Sequence, residues 1–191
     1  KKAFKQKINQ KFPPPEGRLF GDKISVDSLP AECVATAGNI RLIAVGKIHV
    51  AGEGCACPIG LLSKMVLSKL DLDEKDIVLI DTEAGGEHFG RDVDAACDMI
   101  LAVVDPAYES FLLAGKIEQM AAASNTDIFF ILNKTDNRSR PVMEAHINQN
   151  KTIAAIPNSD TLFASSLEGK PLQTAISEIG PVAEMIINRI G

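Results

Sequence analysis

The chain has 191 residues, of which 46% are apolar and 24% are charged, and its formal net charge is -5 at pH 7. It is long enough for one well-cored domain, it has no apolar run near the ~20 residues of a membrane span, and its acidic balance argues against nonspecific nucleic-acid binding. The start lacks the apolar segment of a secretory signal, and four cysteines are too few for a secreted disulfide scaffold. We therefore expect a cytoplasmic protein with a single α/β domain over residues 1–191.

The first third of the chain is expected to carry little regular structure. Residues 1–11 are expected to form the tail of a helix, and the recurring prolines and glycines of residues 13–30 predict an irregular connection. Two β runs then flank a turn at Gly38 and Asn39. A helix is expected from Pro58, because proline suits a first helical turn and apolar residues follow at helical spacing.

The rest of the chain alternates between apolar runs of strand length and segments with helical spacing. Such alternation predicts right-handed βαβ units, and therefore a mostly parallel sheet with helices on both faces. The predicted strands are 76–81, 99–106, 127–134 and 152–157, and the predicted helices are 89–97, 109–123, 138–150 and 171–190.

The first of these strands has the most informative sequence. Its apolar run at residues 77–80 is uninterrupted, it ends on Asp81, and Gly85 and Gly86 follow. An uninterrupted run predicts a strand buried on both faces. Ligands of open α/β sheets lie beyond the carboxyl ends of the strands, so Asp81 would stand at a ligand site and the glycine amides would approach an anion. The alternative is an ordinary buried strand whose aspartate caps the next turn.

A second candidate site is the pattern Asn-Lys-Thr-Asp, which starts at Asn133 and Lys134 and ends the predicted strand 127–134. It is similar to the base-reading motif of P-loop NTPases, in which the Asn amide binds the purine and the lysine stem packs beside it. Asn and Asp also favour turns after any strand. The carboxylate of Asp136 would suit the donors of guanine, whereas Asn133 alone serves adenine, so the motif leaves ATP and GTP open.

A third candidate site is the pair Cys55 and Cys57, which stands just before the helix predicted from Pro58. Two cysteines one residue apart are too close for an unstrained disulfide in most backbones, and they supply only two of the four ligands of a tetrahedral thiolate site. A second chain would supply the other two, and the dipole of the following helix favours the metal-binding thiolate form. The alternative is that both are small buried residues at a helix start.

Together these sites resemble the MinD-like class of P-loop ATPases, and most closely the CooC family, which serves nickel insertion into carbon monoxide dehydrogenase. The resemblance spans residues 40–136. It rests on the Cys-x-Cys loop, on the Asp-Thr-Glu-Ala-Gly that starts at Asp81, on the Val-Val-Asp-Pro of residues 103–106, and on Asn133 with Lys134.

The resemblance implies a P-loop NTPase fold like that of MinD and the nitrogenase iron protein, with Mg-ATP as the nucleotide. It implies catalysis at Asp81 and nucleotide binding at Gly85, Asn133 and Lys134. It also implies a homodimer in which the Cys-x-Cys pairs of two chains share one Ni²⁺ or Zn²⁺, with carbon monoxide dehydrogenase as the target.

Two features depart from these families. The nitrogenase iron protein places one cluster cysteine where Cys55 stands and another about where this chain has His88, and the lost thiol weakens an iron–sulfur assignment. The phosphate-binding pattern Gly-x-x-x-x-Gly-Lys-Ser/Thr does not occur in the 191 residues. We therefore expect the C-terminal part of a longer ATPase, without its first βαβ unit and inactive alone.

Two alternatives stay open. One is a metal- or partner-binding domain that works without nucleotide, and the other is a nitrogenase iron protein-like or MinD/ParA-like regulatory ATPase. The coding sequence just before Lys1 distinguishes the first alternative, because a phosphate-binding loop there excludes it and a start codon there favours it.

Overall fold

The computed structural model describes residues 23–44, 57–82, 97–173 and 175–190. These residues fall into two compact units, of which the first contains 23–44 and 57–82 and the second contains 97–173 and 175–190. Every helix within these ranges is too short or too polar to span a lipid bilayer. The helices predicted at 1–11 and 89–97 lie outside the described residues, apart from Cys97. A single domain over residues 1–191 stays a prediction.

The described part of the first unit contains two short 3₁₀ helices (Val26–Ser28 and Ala31–Cys33), an antiparallel ribbon and one α-helix. Strands β1 (Val34–Ala37) and β2 (Ile40–Ile43) pair around Gly38, whose φ of +58° is the left-handed conformation that glycine adopts readily. Helix α1 (Cys57–Leu67) follows, and its Leu62 side chain is buried. The turn predicted at residues 38 and 39 and the helix predicted around Pro58 are therefore confirmed.

The strand predicted at residues 76–81 is not found. Residues 76–82 have no regular secondary structure, and the side chains of the apolar run 77–80 are 37% to 76% exposed. A strand needs a neighbour to accept and donate its backbone hydrogen bonds. Among the described residues no strand pairs with this run, so the prediction of a buried strand is wrong for this part of the structure.

The second unit is a parallel α/β layer. Its strands β3 (Met99–Val104), β4 (Asp127–Thr135) and β5 (Thr152–Pro157) lie in the order β3-β4-β5 and are all parallel. Helices α2 (Tyr108–Ser124) and α3 (Ser139–His146) make the two crossovers, and α4 (Asp160–Leu167) and α5 (Gly180–Ile190) follow β5. The predicted βαβ pattern is confirmed for this unit.

Strand β4 is the centre of this layer and is buried on both faces. Phe130 and Leu132 belong to a core cluster that includes residues of α2 and α3, whereas Ile131 packs in a second cluster with Val182 of α5. Successive side chains of a strand point to opposite faces, so the neighbours 130 and 131 belong to different cores.

The C-terminal helices differ from the prediction. The predicted helix 138–150 ends at His146 and is followed by the short 3₁₀ turn Gln149–Lys151, while the predicted helix 171–190 begins only at Gly180. Proline suits a first helical turn, and Pro181 occupies that position in α5. Helix α4 was not predicted, although Ser159 caps it by accepting a hydrogen bond from the Leu162 N–H at 3.3 Å.

Candidate functional site

The carboxyl end of β4 contains a β-bulge. Leu132 pairs with Ala155 and Thr135 pairs with Pro157, so three steps along β4 match two steps along β5. Two residues of β4 therefore face one residue of its neighbour. Bulges re-aim side chains and are common beside active sites.

The two bulged residues are Asn133 and Lys134, the pair that the sequence motif selects. Lys134 has a φ of +54°. This left-handed conformation costs a residue with a side chain roughly 1–2 kcal/mol, and such strain persists where the surroundings determine it. The lysine ammonium makes an ion pair that contributes to holding it there.

That ion pair is made with Asp105, the first residue after β3. Oδ2 of Asp105 accepts a hydrogen bond from the Lys134 ammonium at 2.5 Å, and its Oδ1 accepts one from Nδ2 of Asn133 at 2.8 Å. The Lys134 hydrogen bond, and then that of Asn133, holds the pKa of Asp105 below its usual range against a partial opposing effect of burial. One carboxylate thus binds both motif residues.

Asp136, the last residue of the motif, closes the turn into α3. Its Oδ1 accepts hydrogen bonds from the backbone N–H groups of Arg138 at 2.9 Å and Ser139 at 2.6 Å. The Ser139 hydroxyl in turn accepts from the Asp136 N–H at 2.9 Å. These bonds, with those of Ser139 first, hold the pKa of Asp136 below its usual range.

A cavity of about 200 Å³ lies at the carboxyl end of β5. Its lining includes Pro157 at the end of the strand, Leu162 of α4 and Ile176 before α5. Because Pro157 pairs with Thr135, the cavity opens on the same edge of the sheet as the bulge of β4. Its volume is below the ~300–1,000 Å³ typical of pockets that enclose a small ligand, so by itself it does not define a binding site.

The other predicted site residues belong to the first unit or lie outside the described residues. Asp81 is described in the first unit as an exposed residue without regular structure. Gly85 and Cys55 lie outside the described residues, and Cys57 is described only as the first residue of α1. Among the described residues, no group of three or more His, Cys, Asp and Glu side chains is placed to hold a metal ion.

Sequence reasoning missed the role of Asp105. The sequence indicates this residue only through the Val-Val-Asp-Pro resemblance, although it follows an apolar strand directly, which is the property that selects Asp81. The strand register supplies the missing information. Val104 pairs with Leu132, so Asp105, which directly follows β3, lies beside Asn133 of β4.

The chain is similar to several ATP-binding proteins. It is 43% identical over 186 residues to an uncharacterized ATP-binding protein of Methanocaldococcus jannaschii, and the alignment covers 97% of this chain and 75% of that protein. The chain belongs to this family of ATP-binding proteins. A second uncharacterized ATP-binding protein of the same organism is 30% identical over 178 residues, which cover 90% of this chain and 69% of that protein.

The chain is also similar to the carbon monoxide dehydrogenase accessory protein CooC of Rhodospirillum rubrum. That protein is 37% identical to this chain over 126 residues, which are 58% of this chain and 48% of CooC. No protein-family model matches the chain. The expected resemblance to CooC-like P-loop proteins is confirmed at the level of this ATP-binding family.

Proposed function

We propose that the protein is an ATPase of the CooC/MinD-like class that binds Mg-ATP, with the purine at Asn133. The observation that carries this proposal is the bulge of β4, which sets Asn133 and Lys134 at the carboxyl edge of a parallel sheet. Membership in a family of ATP-binding proteins supports it. An amide offers a donor and an acceptor side by side, which is the pattern that a purine edge requires.

The remaining roles follow from the sequence motifs. Asp81 would hold Mg²⁺ through water, as carboxylates do in P-loop NTPases, and the amide of Gly85 would face the terminal phosphate. The 191 residues contain no Gly-x-x-x-x-Gly-Lys-Ser/Thr pattern, so the main phosphate contacts would come from elsewhere in the full-length protein.

We further propose that ATP turnover serves metal delivery, with nickel insertion into carbon monoxide dehydrogenase as the task. The similarity to CooC supports this assignment, and so does the Cys-x-Cys pair. Cys55 and Cys57 of two chains would supply the four thiolates that a tetrahedral Ni²⁺ or Zn²⁺ site needs, at metal–sulfur distances of ~2.3 Å. The protein would then act as a homodimer.

Calorimetry on the full-length protein tests the nucleotide site. Wild type is expected to bind Mg-ATP, and Asn133→Ala to weaken the affinity about tenfold or more, because a bidentate amide–purine contact is worth ~1–3 kcal/mol. Asn150→Ala is the matched control, since it removes an exposed amide in the turn Gln149–Lys151. A full-length protein that binds no Mg-ATP would return the chain to a nucleotide-independent role.

Hydrolysis tests Asp81 separately from binding. In the full-length protein Asp81→Asn is expected to slow ATP turnover about a hundredfold, because a weaker hold on Mg²⁺ removes several kcal/mol of transition-state stabilisation. Unchanged turnover would remove Asp81 from the site. The unfolding midpoint should stay that of wild type, because Asp81 is exposed.

Metal stoichiometry and light scattering on the reduced full-length protein test the shared thiolate site. One metal per two chains and metal-dependent dimers are expected, and Cys55→Ser or Cys57→Ser should abolish both together. Cys33→Ser is the control, because Cys33 precedes β1 and is outside the Cys-x-Cys loop. One metal per chain, or dimers that survive loss of both loop cysteines, would refute the shared site.

A further inference from the structure

The contact between Asp105 and Asn133 has only one chemically allowed orientation. An ionised carboxylate accepts hydrogen bonds and donates none. Because both oxygens of Asp105 face donors, the Asn133 amide must present its nitrogen to Oδ1, where the distance is 2.8 Å, and cannot present its oxygen. The acceptor Oδ1 of Asn133 and its second N–H are left for a ligand.

We propose that Asp105 is a positioning residue that fixes the Asn133 amide so that the site accepts adenine and rejects a purine with a carbonyl at position 6. The inference rests on the proposed nucleotide site and adds the residue that sets its base preference. Adenine presents a 6-amino donor beside the N7 acceptor, and this pair matches an amide oxygen and N–H. Guanine and hypoxanthine present O6 beside N7, so their carbonyl would meet the fixed amide oxygen.

The bulge keeps the Asp105 carboxylate in place. The ammonium of Lys134, whose backbone is left-handed, lies 2.5 Å from Oδ2 of Asp105. Asp105 directly follows β3, which pairs in register with β4. A turn of the Asn133 amide by half a rotation would set two acceptors against each other, with a cost comparable to a lost charge-assisted hydrogen bond. The base preference is therefore built into the fold before any ligand arrives.

Asp136 offers guanine only part of the contact that it would need. Recognition of guanine by a carboxylate uses its N1–H and 2-amino donors, but Oδ1 of Asp136 already accepts the backbone N–H groups of Arg138 and Ser139, which leaves Oδ2 to meet both donors. Releasing it would leave two amides at the start of α3 without these partners. Of the two nucleotides that the sequence motif leaves open, this arrangement favours ATP over GTP.

Binding of ATP and inosine triphosphate to the full-length protein, compared by calorimetry, tests the role of Asp105. The two nucleotides carry the same triphosphate and differ at position 6 of the base, where an amino group is replaced by a carbonyl. Wild type is expected to prefer ATP about tenfold or more. Asp105→Asn should reduce this preference several-fold, because a neutral amide at position 105 can accept from or donate to Asn133 and so permits both orientations.

The control variant is Asp127→Asn, which removes an ion-paired carboxylate at the opposite end of β4 and should leave the ATP preference unchanged. If Asp105 had a purely structural role, Asp105→Asn would weaken the binding of ATP and of inosine triphosphate equally. An unchanged ratio of the two affinities in Asp105→Asn would therefore overturn the inference. Absence of ATP binding to wild type would instead overturn the proposed function itself.

A second measurement needs only wild type. GTP differs from inosine triphosphate by the 2-amino group alone, so their affinities should agree within fivefold if Oδ1 of Asp136 stays bound to the backbone of α3. Tighter binding of GTP by fivefold or more would show that a carboxylate reads the 2-amino group, and would contradict the inference.

Discussion

Arg189 and Asp127 join the last turn of α5 to the first residue of β4. The guanidinium of Arg189 donates to Oδ2 of Asp127 at 2.7 Å, and its central carbon lies 5.3 Å from the centre of the Phe129 ring. The same side chain therefore makes an ion pair and a cation–π contact across 62 residues of sequence.

Arg189→Ala is expected to lower the free energy of unfolding by about 1 kcal/mol, to which the aromatic contact contributes most because exposed ion pairs are worth little. Urea unfolding measures this change. Arg140→Ala is the matched control, since it removes an i,i+4 pair with Glu144 and should cost less than ~0.5 kcal/mol. Equal losses in the two variants would contradict a role for the Phe129 ring.

Met143 is fully buried in the core between the sheet and α3. Met143→Ala is expected to destabilise the protein by about 2–5 kcal/mol, because it removes apolar contacts and leaves a cavity. Its neighbour Val142 is 49% exposed, and Val142→Ala should change stability by less than ~0.5 kcal/mol. Chemical denaturation of the pair checks the orientation of α3.

Replacing two glycines of the second unit with alanine should change the protein's stability in opposite directions. Gly115 lies inside α2 with nothing within 4 Å of an added Cβ, so Gly115→Ala should stabilise the protein by about 0.5–1 kcal/mol. Gly169 follows α4 with a φ of +63°, and Gly169→Ala should cost about 1 kcal/mol. Thermal unfolding midpoints that moved in the same direction would contradict these backbone assignments.

The contacts of Glu118 should make part of the protein's folding stability sensitive to acid. Its carboxylate accepts hydrogen bonds from Lys151 and Asn148, at 2.9 and 3.0 Å, and the Lys151 bond first, then that of Asn148, holds its pKa below the usual range. A folded pKa below the unfolded value of ~4.3 adds stability above that pH, and this stability is lost as pH falls through the folded pKa.

Urea unfolding of wild type between pH 6 and 2 should therefore show a steeper loss below about pH 4 than Glu118→Gln shows, since the variant has no proton to gain there. Parallel profiles for the two proteins would mean that the Glu118 contacts add no acid-labile stability.

Residues 1–191 alone are expected to bind Mg-ATP more weakly than micromolar, or not at all. The proposed contact of the purine with Asn133 would supply ~1–3 kcal/mol, whereas a dissociation constant of 1 μM requires ~8 kcal/mol, and the 191 residues contain no phosphate-binding sequence pattern to supply the difference. Calorimetry on this segment decides the point, and micromolar binding would reveal phosphate contacts that the sequence pattern does not contain.

The sequence predicted those parts of the fold that depend on local signals. The turn at Gly38 needed a residue that accepts positive φ, and β5 was predicted with its observed bounds at Thr152–Pro157 because an apolar run and its flanking turn residues define it. Helix α4 carried a signal too, since Ser159 is a typical helix cap, but its short apolar pattern was not used.

The arrangement of the site depended on information that no local pattern contains. The bulge at Asn133 and Lys134 exists only relative to β5, and the contact of Asn133 with Asp105 joins residues 28 apart through the register of two parallel strands. For the same reason the run 77–80 was predicted as a strand from its composition, although strand formation depends on a partner.

That exposed run has a further consequence for the behaviour of the chain in solution. Ile-Val-Leu-Ile is an uncharged stretch of high β propensity without proline, which has the composition, although not the length of six or seven residues, of segments that stack as identical strands. Asp76 and Asp81 bound it on both sides and act as gatekeepers, because stacked copies would bring like charges together. Salt screens that repulsion, so concentrated solutions of this segment should turn cloudy sooner as ionic strength rises.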